Sequence, residues 1–107
     1  MSYIFRMAFY RNTEPGAVDP AITDEHLEAA FNDPAAFMER INPGFAVPVF
    51  RLFGWAPPFQ GATVQTAVTA SWSIERVLLR VVYTEEEGDI FVSSAREASM
   101  EELADYG

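Results

Sequence analysis

One arginine near the C-terminus is the side chain of this sequence most open to a chemical role. Residues 81–107 contain Arg96 as their only basic residue among eight Asp and Glu residues. A structural role would pair Arg96 with Glu97, Glu101 or Asp105, and an exposed pair of this kind stabilises a protein by only ~0–1 kcal/mol. A functional role would use its charge on a partner or substrate. Both interpretations remain open from the residues alone.

The other side chains offer little for catalysis. The single histidine, His26, falls at the third position of a predicted helix beside Glu25, where a capping or solvated role is favoured over proton transfer. The absence of cysteine excludes disulfides and thiol catalysis, and a metal site would need carboxylates alone, for which no spacing is visible. A P-loop, a dinucleotide-binding glycine motif and a Ser-His-Asp order are also absent. The sequence therefore predicts no metal and no cofactor.

The net charge of −9 constrains the class of partner. Nucleic-acid binders usually carry a basic face, and the field of a molecule this acidic repels RNA and DNA. Strong acidity also keeps many proteins soluble. A protein partner is therefore favoured over a nucleic acid.

Length and hydropathy predict a single domain over residues 1–107 and a cytoplasmic location. A chain of 107 residues has the size of one domain. No apolar run approaches the roughly 20 residues that span a bilayer, and the N-terminal segment lacks the features of a signal peptide. We therefore expect no membrane interaction.

Patterning in the first half predicts one strand and two helices. Residues 3–10 are rich in aromatics and suit a strand. Thr23 is a good N-cap for a helix. A second short helix is expected after Asp33, with Pro34 at its first position, and residues 41–44 end it.

The second half predicts mainly strands. The expected segments are an edge or irregular strand at 45–53, a loop at 54–61, and further strands at 64–72, 75–84 and 89–94. An acidic turn at 86–89 joins the last two of these strands. Ser99 and Glu102 have the spacing of a capping box for a helix from Met100 to Tyr106. The prediction is an α+β fold, in which a small antiparallel meander accompanies two helices in the N-terminal half and a short C-terminal helix.

The C-terminal part carries a characteristic series of residues: Val81, Val82, Tyr83, Thr84, Glu85, Gly88, Asp89, Ser94, Ala95, Arg96, Ala98, Ser99, Glu102 and Tyr106. Over residues 77–106 this series resembles the BrnT family of ribonuclease toxins from bacterial type II toxin–antitoxin pairs. That family reads approximately L-V-V-V-Y-T-E, a turn with Gly-Asp, a strand, S-A-R-x-A-[ST], a helix with Glu, and a Tyr. LEAAFNDP at 27–34 resembles the family's helix ending in F-x-D-P.

This resemblance implies a metal-independent endoribonuclease with a RelE-like sheet, inhibited by a DNA-binding antitoxin. In such enzymes the ribose 2′-hydroxyl attacks the adjacent phosphate, which requires a cation on the developing charge and a group that moves a proton. Arg96 would be the cation, and Tyr106 would orient it or transfer the proton. The implied partners are an antitoxin and, where activity is retained, RNA.

The sequence departs from the family where RNA would bind. The helix after Arg96 carries Glu101, Glu102 and Asp105 where the family is rich in Lys and Arg, and Phe91 stands where the family often has Arg. We therefore expect weakened or lost activity. The alternative is a non-catalytic acidic binding module, such as an immunity factor or a phage-encoded inhibitor whose carboxylates mimic nucleic-acid phosphates against a basic partner.

The spatial arrangement of charges distinguishes the two functions. The enzyme is favoured if Arg51, Arg76, Arg80 and Arg96 share a surface with Tyr106. The mimic is favoured if the carboxylates of 24–28, 85–89 and 97–105 form one continuous surface.

Two aromatic residues, Trp55 and Phe59, lie in the proline-rich segment at 54–61. They would either pack on the core or anchor a partner, because Trp is enriched among interface hot spots. The predicted binding residues are Trp55, Phe59, Arg80, Glu101 and Glu102.

Overall fold

The computed structural model describes residues 7–68 and 70–107 and has an α+β architecture. Its elements are β1 (Phe9–Arg11), α1 (Asp24–Asn32), β2 (Phe37–Arg40), β3 (Phe50–Ala56), β4 (Gln65–Val68), β5 (Ser73–Glu86), β6 (Asp89–Glu97) and α2 (Met100–Tyr106). The strands form a sheet in the order β1-β6-β5-β3-β2, and β4 pairs with the beginning of β5. Neither helix of the described residues is long and apolar enough to cross a membrane.

Helix α1 packs on one face of the sheet and closes the core there. Leu27 and Ala30 of the helix are fully buried against a cluster that includes Leu79 and Val81 of β5. The helix approaches β3 so closely that a Cβ at Gly54 would overlap the carbonyl oxygen of Ala30. A residue without a side chain is therefore required at this position.

Three predicted elements of the fold are confirmed. Helix α1 begins after the N-cap Thr23. The acidic turn joins β5 to β6, with Glu87 and Gly88 both at positive φ, as a tight two-residue hairpin requires. Helix α2 begins after Ser99, and the side chains of Ser99 and Glu102 form the predicted capping box.

The predicted helix after Asp33 is wrong, because this segment forms β2 instead. The Asp33 carboxylate caps a turn by accepting from the N–H of Ala35 at 2.9 Å, and it also accepts from the N–H of Trp55 at 2.9 Å. These bonds end α1 and direct the chain along β3, where Phe37 pairs with Phe53. Pairing with a neighbouring strand outweighs the local helix signal, so the described residues contain two helices and not three.

The sheet also differs from the predicted meander. Strand β1 pairs in parallel with β6, so the sheet is mixed. Strand β3 begins after Pro48 and is an inner strand that includes Trp55, and the predicted strand at 64–72 is shortened to β4. The first part of the predicted strand at 3–10 lies outside the described residues.

A bulge in β6 decides which way its C-terminal half faces. Val82 pairs with Ser94 but Tyr83 pairs with Val92, so Ser93 is an extra residue in the ladder. Without it, strict alternation would place Val92 and Arg96 on the same face. With it, Val92 and Ala95 are both buried and Arg96 emerges on the opposite face.

Candidate functional site

The face of the sheet opposite α1 carries four arginines, and we call it the arginine face. Arg80 of β5 and Arg96 of β6 are direct cross-strand partners. Arg51 of β3 pairs with Val82 of β5. Val82 lies two residues from Arg80, so Arg51 faces the same side of the sheet as Arg80. Arg76 precedes Arg80 by four residues of the same strand and therefore projects to the same side. The sheet thus places side by side arginines that are up to 45 residues apart in the sequence.

Helix α2 lies across the arginine face without burying any of its own residues. The ring of Tyr106 stacks on Phe53, with centroids 4.1 Å apart and planes 6° from parallel, and it lies 5.3 Å from the ring of Phe37. Phe53 lies two residues from Arg51 and Phe37 lies two residues from Glu39, so each phenylalanine faces the same side as the charged residue of its strand. Tyr106 is therefore held on the same face as the arginines.

Glu102 is the residue of α2 that meets the arginines. Its Oε1 accepts from Nη1 of Arg96 at 2.7 Å, and its Oε2 lies 3.5 Å from Nε of Arg80. Its side chain is 19% exposed. Burial raises the pKa of Glu102, but hydrogen bonds from Arg96 and Ser99 outweigh it and lower the pKa to about 2. The carboxylate is therefore ionised and shared by two guanidinium groups.

Arg80 is partly buried and lies beside two other arginines as well as this carboxylate. Burial lowers the pKa of Arg80, and the neighbouring charges of Arg96 and Arg51 lower it further, while Glu102 raises it. Crowding of like charges in a partly desolvated place is costly unless an anion compensates it. Such a cluster favours a second anion, because a phosphate supplies more negative charge than one carboxylate.

Some hydrogen-bonding capacity of the arginines is unused. The buried Nε atoms of Arg51, Arg76 and Arg80 have no hydrogen-bond partner within residues 7–68 and 70–107. Buried donors normally find a partner, and an anion on this face would supply acceptor oxygens. The guanidinium groups are thus positioned but incompletely satisfied.

Two of the four arginines have other partners. Arg51 forms an ion pair with Glu39 of β2, and this hydrogen bond raises the pKa of Arg51. Arg76 lies over the ring of Trp55 at 3.8 Å, a cation–π contact that also fixes the indole on the arginine face. Arg80 and Arg96 are therefore the pair available to a ligand, once Glu102 has moved.

The predicted site residues separate into two groups in the structure. Trp55, Arg80, Arg96, Glu102 and Tyr106 all lie on the arginine face. Phe59 packs against the core on the other side, with its ring 5.1 Å from that of His26, and Glu101 is an exposed residue of α2.

His26 has the predicted capping role. Its Nδ1 accepts from the N–H of Thr23 at 2.9 Å. Sequence reasoning missed two residues of this face: Glu39, which fell in the predicted second helix, and Phe53, which ended the predicted strand at 45–53 without being singled out.

The three acidic segments lie on different parts of the fold. Helix α1, with Asp24, Glu25 and Glu28, packs on one face of the sheet, while α2 lies on the other. The acidic turn at 85–89 lies at the end of the β5–β6 hairpin. Negative charge is therefore distributed over several parts of the molecule, whereas four arginines, Arg51, Arg76, Arg80 and Arg96, lie on one face.

Comparisons of the chain with protein-family models, with curated proteins and with solved structures find no match. The assignment of a function accordingly depends on the geometry of the arginine face.

Proposed function

We propose that the arginine face binds a phosphodiester of RNA, and that the protein is a BrnT-like, metal-independent endoribonuclease of weakened activity with a RelE-like sheet. The observation that carries this proposal is the convergence of Arg51, Arg76, Arg80 and Arg96 on the face where Tyr106 docks. A ribonuclease requires arginines that converge on the phosphate in this way, whereas a protein that mimics nucleic acid does not require them. The resemblance of residues 77–106 to the BrnT family adds independent support.

The chemistry requires little from the protein beyond charge and position. The ribose 2′-hydroxyl gives up its proton as its oxygen bonds to the adjacent phosphorus, the bond from phosphorus to the 5′-oxygen of the next nucleotide breaks, and that oxygen takes up a proton, which leaves a 2′,3′-cyclic phosphate and a 5′-hydroxyl. The guanidinium groups of Arg80 and Arg96 stabilise the additional negative charge on the phosphorane oxygens. Tyr106 orients the arginines or transfers the proton.

Glu102 gives a physical reason for weakened activity. A phosphate must displace its carboxylate from Arg96 and Arg80 before it can bind there. The net charge of −9 also slows the approach of RNA. The protein would therefore have a formed site with a built-in competitor.

A second candidate function is an acidic binding module that acts on a basic protein. The net charge of −9 favours it, although the position of α1 and α2 on opposite faces gives it less support. Its affinity for a basic partner would fall as salt rises, because salt screens exposed charges. Binding that does not depend on salt would contradict this candidate.

Induced expression in a bacterial host tests the proposed function. Growth and total RNA integrity are followed for the wild type and for Arg96→Ala, with Arg40→Ala as a control that has the same net charge. Arg40 is an exposed residue of β2 that pairs with Phe50 and faces the other side of the sheet. We expect growth arrest and RNA cleavage that Arg96→Ala abolishes and Arg40→Ala retains. Equal effects of the wild type and Arg96→Ala would overturn the role of Arg96.

A further inference from the structure

A cavity opens directly beside Arg96, between β4, β5 and α2. Its volume is about 340 Å³, within the range of about 300–1,000 Å³ that small-molecule sites occupy. Leu78 and Leu103 supply apolar wall, while Thr63, Gln65 and Arg96 contribute polar groups. Gln65 is the cross-strand partner of Arg76 and therefore projects from the arginine face.

The walls of this cavity are held by hydrogen bonds between segments distant in sequence. The N–H of Thr63 donates to Oε2 of Glu97 at 2.8 Å, and the N–H of Ala98 donates to the carbonyl of Leu78 at 2.8 Å. Nη1 of Arg96 donates to the carbonyl of Glu97 at 3.0 Å. The cavity is therefore formed without a ligand, which lowers the cost of binding.

We infer that this cavity is a subsite for the base of a ribonucleotide whose phosphate binds to Arg80 and Arg96; the inference rests on the proposed function and names a further site for its substrate. Arg96 borders both places, so one guanidinium group lies next to the base and the phosphate of the same ligand. A base and its phosphate are neighbouring parts of a nucleotide. The apolar cavity and the Arg80–Arg96 pair are neighbours in the same way.

The chemistry of the lining fits a nucleobase better than other small ligands. A base has two apolar faces, which Leu78 and Leu103 can cover, and a polar edge. The Gln65 amide is both donor and acceptor, so it can form paired hydrogen bonds with such an edge. A purely apolar ligand would make no hydrogen bond with the Gln65 amide, and inorganic phosphate would not fill the cavity. RNA recognition commonly uses unstacked single bases in this manner.

Binding of free nucleosides tests the cavity separately from the arginine pair. The probes are adenosine, guanosine, cytidine and uridine, which have no phosphate, and inorganic phosphate alone, each titrated into wild-type protein and into the Gln65→Leu and Gln60→Leu variants. Chemical-shift changes in the NMR spectrum report both the affinity and the place of binding. Gln60 is an exposed glutamine that does not line the cavity, so Gln60→Leu is the matched control.

We expect one nucleoside to bind at least roughly fivefold more tightly than the other three, because paired hydrogen bonds to a base edge discriminate by about this factor or more. Its binding should shift signals of Leu78 and Leu103. Gln65→Leu should abolish the preference, while Gln60→Leu retains it. Phosphate affinity should be the same in both variants.

The failures of the two proposals are distinguishable. Nucleosides that cause no shift at the cavity, while phosphate binds at Arg80 and Arg96, would overturn the base subsite and leave the proposed function standing. Selective nucleoside binding without phosphate binding, even in Glu102→Gln, would support the cavity and contradict the proposed phosphodiester site.

Discussion

Replacing Glu102 by Gln is the sharpest perturbation of the arginine face. The substitution removes the charge shared by Arg80 and Arg96 while retaining a side-chain oxygen that can accept from the N–H of Ser99, as Glu102 does at 2.9 Å. The capping box of α2 is therefore preserved. The charge of the contact with Arg96 is lost, and so is the contact with Arg80, because an amide NH₂ replaces the Oε2 that faces its Nε.

The size of the ionic contribution follows from the pKa of Glu102. Its pKa falls from an ordinary 4.5 to about 2, and at 1.36 kcal/mol for each pKa unit the full difference is at most about 3–4 kcal/mol, part of which comes from the Ser99 hydrogen bonds that glutamine retains. Solvent screens the contact, because the Arg96 side chain is 46% exposed. We therefore expect Glu102→Gln to lower the free energy of unfolding by about 1–2 kcal/mol.

The same energy opposes a phosphate that must displace the carboxylate. Its removal should therefore tighten the binding of inorganic phosphate by about 5–30-fold. Isothermal titration calorimetry at low ionic strength measures this affinity, and urea unfolding measures the loss of stability. Glu101→Gln makes the same change in net charge on the same helix at an exposed position, so it is the matched control and should bind like the wild type. The reasoning is refuted if folded Glu102→Gln binds phosphate no more tightly than Glu101→Gln.

Three further predictions concern the parts that hold the site. Tyr106→Ala should remove the stack on Phe53 and lower the free energy of unfolding by at least about 0.5–1.5 kcal/mol, whereas Tyr106→Phe should retain most of it; urea unfolding of both variants measures the difference. Gly54→Ala should be destabilising by about 1–3 kcal/mol or more, since its Cβ overlaps the carbonyl oxygen of Ala30, and thermal unfolding would contradict this if the melting temperature were unchanged. Acidification tests Glu102: because its pKa is lower in the folded protein, its contribution is complete above about pH 4.5 and is lost as the pH falls towards about 2. The difference in stability between the wild type and Glu102→Gln should shrink over that interval, and a difference that is constant with pH would count against the contact.

The sequence predicts those elements whose signals are local. The N-cap Thr23, the turn at Glu87-Gly88 and the capping box of Ser99 and Glu102 each depend on residues a few positions apart, and each is confirmed. The helix expected after Asp33 is wrong because the strand pairing of Phe37 with Phe53 and the contact of Asp33 with Trp55 are not local.

The sequence singles out residues that the structure brings together on the arginine face, but it does not predict their arrangement. Arg80, Arg96, Glu102 and Tyr106 were all named from the sequence. Their convergence depends on the bulge at Ser93. The sequence does not predict this bulge, because two serines in a strand are equally compatible with regular alternation. The pairing of Glu102 with two arginines was likewise hidden, because helix α2 must fold back onto the sheet before its carboxylate meets Arg80.

The separation of charge explains how an acidic protein can retain a cationic face. Helix α1 carries its carboxylates on the opposite side of the sheet, the acidic turn at 85–89 lies at the far end of the β5–β6 hairpin, and α2 contributes Glu102 directly to the arginine face. The net charge of −9 therefore describes the whole molecule and not this surface. Removal of the Glu102 carboxylate alone should therefore change anion binding on the arginine face more than a change of one unit in net charge would suggest.

Cleavage of RNA by purified protein tests the central claim most directly. A 5′-labelled single-stranded RNA is incubated, in the presence of a metal chelator, with the wild type, Glu102→Gln, Arg96→Ala and the double variant with both changes. We predict that Glu102→Gln cleaves about 5–30-fold faster than the wild type at subsaturating RNA, and leaves 2′,3′-cyclic phosphate ends. The double variant should lose at least about 100-fold relative to Glu102→Gln, as expected when a group that stabilises the transition-state charge is removed. Equal cleavage by Glu102→Gln and the double variant, or no cleavage by any folded form, would contradict the assignment of the arginine face as a ribonuclease site.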